Sequence, residues 1–124
     1  MSVYGHDNVR YFSNMEFPKE SFTIAGISHY QTIAKDIVYD DKLNMMAEPE
    51  NRYDQTAIAI YRNEEKIGYV PKEYYYKQLC KKFMNKPLRV INIKSIRNIR
   101  GIRVIPEEFF QEEFIAHSHF ADQV

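Results

Sequence analysis

The chain has 124 residues, 44% hydrophobic and 27% charged, the balance of one ordinary globular domain large enough to bury its own core. Its longest apolar run, Ala57 to Tyr61, is far too short to cross a bilayer, and a single cysteine, Cys80, rules out an internal disulfide or a cysteine-based metal cluster. The formal net charge is zero, but Lys72 to Arg103 holds ten basic residues and one acid, while residues 104–124 hold five acids and no Lys or Arg.

Met1 to Glu20 carries scattered aromatics without a clear period and reads as an arm wrapping the domain. Its start, MSVYGHDNVR, lacks the basic opening and apolar stretch of a secretory signal, so a cytoplasmic protein without membrane contact is expected. Ser21 to Ser28 is a predicted strand with Phe22 and Ile24 on one face, and Gly26 would permit a bulge or close backbone approach. Between His29 and Asp41, Ile33, Ala34, Ile37 and Val38 show helical spacing over a short span.

Leu43 to Ala47 is a second strand, ended by Glu48-Pro49. Thr56 to Arg62 and Lys66 to Val70 form a predicted hairpin across Asn63-Glu64-Glu65. Pro71 suits the first turn of a helix, in which Tyr75, Leu79 and Phe83 make an apolar stripe with Tyr76 and Cys80 beside it. Lys77, Lys81 and Lys82 are expected to point away from that stripe, and Cys80 to be a small core residue. LRVINIKSIRNIRGIRVI then predicts two strands joined near Arg97 to Gly101, and Pro106-Glu107-Glu108 opens a terminal helix with Phe109, Phe110, Phe114 and Ile115 on its apolar face.

The expected architecture is mainly β with helices (α+β): residues 1–20 as the arm, 21–105 as a small barrel-like sheet with one inserted helix, and 106–124 as an acidic, aromatic C-terminal helix or tail. Four ungrouped glycines exclude a phosphate-binding Gly-rich loop, and the histidines have no zinc-binding spacing. Glu48, Glu50 and Asp54 could approach a hard cation, but the further acids or lysine of a nuclease site are not visible, so neither a catalytic function, a metal nor a cofactor is expected.

The basic block, with Lys77, Lys81, Arg97 and Arg100, suggests an anion-binding surface; the alternative is a strip paired with the chain's own acidic tail. Ten Tyr and eight Phe, with no Trp, are plentiful, and most are expected in the core. Tyr30, Tyr53 and Tyr69 lie at strand edges, where stacking on nucleic acid bases and core packing are equal alternatives.

AGISHYQ (Ala25 to Gln31), EPENRYDQTAIAIY (Glu48 to Tyr61) and KIGYVPKE (Lys66 to Glu73), in this order, resemble the HIRAN domain family over about half the chain. The resemblance implies an OB-like or SH3-like β-barrel and a non-catalytic module that binds single-stranded DNA, as in fork-remodelling translocases of DNA repair, where it captures the 3′ end. Position by position it implies Asp54 as the hydroxyl-binding aspartate, Tyr53 as the aromatic beside it, Asn51 as a polar pocket residue, Lys72 as a phosphate contact and Gly26 as a close backbone approach. Ser28 and His29 stand where end-binding members carry an arginine and a tyrosine, and Tyr69 replaces a histidine. A rival reading is a protein-interaction module or inhibitor docking on a DNA-processing protein through the tail's Glu107, Glu108, Glu112 and Glu113, and Phe109, Phe110 and Phe114 could instead pack on the barrel or form a homodimer.

The Asp54 segment also has a purely local explanation. Asn51 and Asp54 are turn formers, and Asp54 could cap the turn before Thr56 through its own side chain.

Overall fold

Alternating burial along short, β-branched segments builds a six-stranded antiparallel sheet in the computed structural model, which describes residues 17–115. The strands are β1 (Phe22–Thr23), β2 (Lys42–Ala47), β3 (Ile58–Arg62), β4 (Glu65–Tyr69), β5 (Leu88–Ile96) and β6 (Ile99–Pro106), in the order β1-β6-β5-β2-β3-β4. In β2, Leu43 and Met45 turn inward while Lys42, Asn44 and Met46 face out, the period of two that a half-buried strand requires.

The two hairpins close through left-handed residues. Asn63 has φ 56° between β3 and β4, while Arg97 and Asn98, at 54° and 67°, form the two-residue turn between β5 and β6. Positive φ at both central positions matches the right-handed twist of the flanking strands. Gly101, expected at the end of the connection, lies instead within β6 opposite Lys94.

The sheet's outer strands, β1 and β4, are tied to each other. Ala25, just past β1, donates its N–H to the Tyr69 carbonyl at 2.8 Å, and Tyr69 N–H returns to the Ala25 carbonyl at 2.9 Å. This single bridge curls the sheet toward a small barrel and pairs its two outer edges at one point. The close backbone approach expected at Gly26 falls instead at Gly68. A Cβ there would lie 2.5 Å from Ile24 Cγ2 and 2.6 Å from the Ala25 carbonyl oxygen, whereas one on Gly26 would meet nothing within 4 Å.

The first predicted strand is therefore much shorter than Ser21 to Ser28. Gly26, at φ 74°, turns the chain into a 3-10 turn, Ile27–Tyr30, followed directly by the one-turn helix α1 (Gln31–Ala34). Gln31 fixes this segment to the sheet: its Nε2 donates to the Arg100 carbonyl at 3.2 Å and its Oε1 accepts from Arg100 N–H at 2.8 Å. Ala34 and Ile37 are fully buried, as their spacing predicts, while Val38 is exposed.

Helix α2 (Tyr74–Lys82) forms as expected, but Pro71 lies three residues before it rather than in its first turn, Glu73 stands at its N-cap, and it turns a different face to the core. Cys80 is fully buried with Tyr76 and Met84 packed against the core cluster, and Tyr75 is half exposed. Tyr76 meets Phe22 with ring centroids 5.4 Å apart. In Tyr74-Tyr75-Tyr76 either of two stripes satisfies helical spacing, and contact with Phe22 selects the Tyr76–Cys80 stripe. Burial pushes the Cys80 thiol up to about 12, in keeping with a packing residue.

After β6 the tail makes a 3-10 turn, Glu107–Phe109, and residues 112–115 are helical. Phe109 meets Phe83 edge-on at 5.4 Å, and Arg89 stacks on Phe110 at 3.8 Å from the ring centroid. Glu107 and Glu108 pair with Arg89 and Lys86 at 3.3 and 2.7 Å. These acidic and aromatic groups thus pack on the chain's own barrel. Residues 1–16, most of the expected arm, and 116–124, with His117 and His119, lie outside the described residues. No helix among the described residues is long and apolar enough to cross a membrane.

Candidate nucleic-acid interface

The loop between β2 and β3 is organised by its own turn formers. Glu48 N–H donates to the Ala57 carbonyl at 2.9 Å, closing the loop at its base. Asn51 Oδ1 accepts from the N–H groups of Tyr53 and Asp54 at 2.8 and 3.0 Å, and Asn51 Nδ2 donates to Glu48 Oε1 at 2.9 Å. Asp54 Oδ1 accepts from both the N–H and the hydroxyl of Thr56, at 2.9 and 2.6 Å. Asn51 and Asp54 are thus side-chain mimics of backbone turns. Tyr53 is the exception: its backbone is held by Asn51, yet its side chain is left 91% exposed.

Glu48 is the hub on the inner side of the loop. It receives Lys66 at 2.6 Å and the Tyr69 hydroxyl at 3.0 Å, while Lys66 donates to that hydroxyl at 2.9 Å. Partial desolvation works against the Glu48 anion, but the hydrogen bonds from Lys66, Asn51 and Tyr69 outweigh it and hold the carboxyl below the usual range. The same contacts hold Lys66 above its ordinary value. Glu48 and Lys66 are absent from the site residues expected from sequence, although both stand in the segments that carry the resemblance. The missing signal is their pairing, which crosses from loop to strand.

Tyr69 joins the two halves of the site. Its hydroxyl reaches Glu48, and its backbone pairs with Ala25, one residue before Gly26 and the 3-10 turn that packs against β4 and β6. Ser28 and His29 are exposed on that turn and Tyr30 is half-buried. Tyr69 is thus linked to the start of the Gly26–Tyr30 turn through its backbone and to the Asn51–Asp54 loop through Glu48, with Lys72 exposed just beyond β4.

Lys77 departs from its expected outward role. Its ammonium donates to Asp54 Oδ2 at 2.6 Å and to Thr56 Oγ1 at 2.7 Å, clamping α2 to the loop. The Lys77 and Thr56 hydrogen bonds drive the Asp54 carboxyl well below the usual carboxylate range. Among the described residues no three His, Cys, Asp or Glu side chains are grouped as metal ligands.

The basic block does not form one continuous face. Lys77, Lys86 and Arg89 pair with acids, Arg100 donates to the Ala34 and Ile37 carbonyls at 3.0 and 2.6 Å, and Arg103 reaches Ser21 and stacks on Phe17. Arg100, a candidate phosphate contact by sequence, is instead a brace between β6 and the end of α1, because its guanidinium finds buried carbonyls closer than solvent. Lys72, Lys81, Lys82, Lys94 and Arg97 are exposed. They divide between the surroundings of α2 and the tip of the β5–β6 hairpin.

No curated protein matches the sequence significantly. The fold is similar to a solved structure of a protein from Lactobacillus plantarum, a structural-genomics target, at a TM-score of 0.50 and 16% identity over 70% of this chain and 88% of that one. That likeness supports the barrel alone. Residues 20–80, which include the Tyr53 loop, Tyr69 and most of α2, match the HIRAN domain, a family of DNA-binding modules. Through these residues the chain belongs to the HIRAN domain family.

Proposed function

We propose that the protein binds single-stranded DNA, stacking a base on Tyr53 and engaging phosphates through Lys72 and Lys81. The observation that carries this reading is Tyr53 itself: a ring 91% exposed on a loop whose backbone is already hydrogen-bonded in place. Stacking on an exposed ring carried by an already ordered backbone loses little backbone entropy on binding and tolerates any base.

Recognition of a 3′ end would fall to Asp54. A carboxylate offers about four acceptor positions; Thr56 takes two and Lys77 a third. The remaining lone pair on Oδ2 is available to a 3′-hydroxyl and would repel a 3′-phosphate. In this reading Lys77 is a positioning residue, aiming the carboxylate.

The test is fluorescence anisotropy with a short labelled strand in three forms: 3′-hydroxyl, 3′-phosphate and circular. Tyr53→Ala should weaken all three by roughly 5- to 150-fold, the range of one lost stack, and Tyr53→Phe should bind like wild type. The 3′-hydroxyl form should bind more tightly than the other two. Equal affinity for all three would refute end recognition, and no binding at low salt would refute the DNA reading.

A further inference from the structure

We infer a second base-stacking position at Tyr74, on the first turn of α2, so that a bound strand runs from Tyr53 across the Asp54–Lys77 clamp and along the helix. This rests on the single-strand reading above and extends it to residues that reading does not use. Tyr74 is 77% exposed, second only to Tyr53 among the large exposed apolar and aromatic side chains of the described residues.

Three observations connect the two rings. Asp54, next to Tyr53, receives Lys77 at 2.6 Å, which fixes the loop against α2. Tyr74 lies three residues before Lys77, and residues at that spacing share a helix face. Helical side chains also lean toward the N-terminus, which carries Tyr74 beyond the clamp toward exposed Lys72. Lys81, four residues after Lys77, continues the same face and is exposed.

The charge of this surface fits a polyanion. From Lys72 to Lys82 there are four lysines against one acid, Glu73, and the clamp neutralises only Lys77. A folded core gains nothing from a tyrosine this exposed, and a partner rich in apolar side chains would leave the lysines unpaired. Bases on the rings and phosphates on Lys72 and Lys81 satisfy both features.

The experiment compares a dinucleotide with a strand of about six nucleotides, within the usual range of single-strand sites, on wild type, Tyr53→Ala, Tyr74→Ala and Tyr74→Phe. Tyr74→Ala should weaken the longer strand by roughly 5- to 150-fold and leave the dinucleotide unchanged, while Tyr74→Phe matches wild type. Because Tyr74 is exposed, the melting temperature of Tyr74→Ala should equal that of wild type, which separates lost binding from lost folding. If Tyr74→Ala binds the longer strand normally while Tyr53→Ala does not, the second position is refuted and the single-strand reading stands. Equal loss on both lengths would assign Tyr74 to the first pocket and also refute a second position. Absence of wild-type binding to either strand would remove the reading and the inference together.

Discussion

Gly68 should be the least replaceable glycine in the barrel. An alanine Cβ would sit 2.5 Å from Ile24 Cγ2 and 2.6 Å from the Ala25 carbonyl oxygen, against an ordinary carbon contact of about 3.5–4.0 Å. The carbonyl cannot retreat without breaking the paired bonds between Ala25 and Tyr69 that close the sheet. Overpacking typically costs about 1–3 kcal/mol, and φ of 155° adds backbone strain of about 1–3 kcal/mol. Gly68→Ala should therefore destabilise the fold by about 2–6 kcal/mol, a large part of the roughly 5–15 kcal/mol that holds a domain together. Two other glycines supply the controls. Gly26→Ala, with φ 74° but open space around it, should cost only about 1–2 kcal/mol. Gly101→Ala, whose Cβ meets the Lys94 carbonyl at 3.5 Å, should change stability by less than about 1 kcal/mol. Urea unfolding with linear extrapolation measures all three. If Gly68→Ala is no worse than Gly26→Ala, the barrel is not closed by a rigid contact at this point.

Glu48→Gln should destabilise by about 1–2 kcal/mol, because charge-assisted hydrogen bonds to Lys66 and Tyr69 are weakened at a site only 20% exposed. The folded Glu48 carboxyl lies below its unfolded value, so its contribution is complete above about pH 4.3 and is lost as pH falls through the folded value; the gap between variant and wild type, read by denaturation at several pH values, should narrow in acid. Lys77→Met should raise the Asp54 carboxyl toward the ordinary value of about 3.9, as followed by carbon NMR titration; an unmoved Asp54 would mean the clamp does not govern it. Lys81→Ala should reduce the log–log salt slope of single-strand binding by about 0.7. Arg100→Ala should leave that slope unchanged while costing about 1–3 kcal/mol of stability, since it loses bonds to the Ala34 and Ile37 carbonyls.

Local pattern alone determined much of this molecule. The hairpins around Asn63 and Arg97-Asn98, the helix after Pro71, the buried Cys80 and the turn chemistry of Asn51 and Asp54 depend on residues close in sequence, so their side-chain period and turn preference suffice to place them. The HIRAN-like segments were legible for the same reason: each is a contiguous motif. Only the tertiary structure decided which α2 stripe faces inward, since Tyr75 and Tyr76 are equivalent until Phe22 is brought against one of them. It also decided the fate of the charges. Arg100 could not be told from Arg97 along the chain, yet one caps buried carbonyls across the barrel and the other sits at an exposed hairpin tip. Lys77 likewise reads as a solvent-facing lysine until its helix docks on the Asp54 loop. A charge takes the nearest group that offsets its desolvation, and for Arg100, Lys77 and Glu48 that group lies on another element, at a distance that only the closed sheet defines.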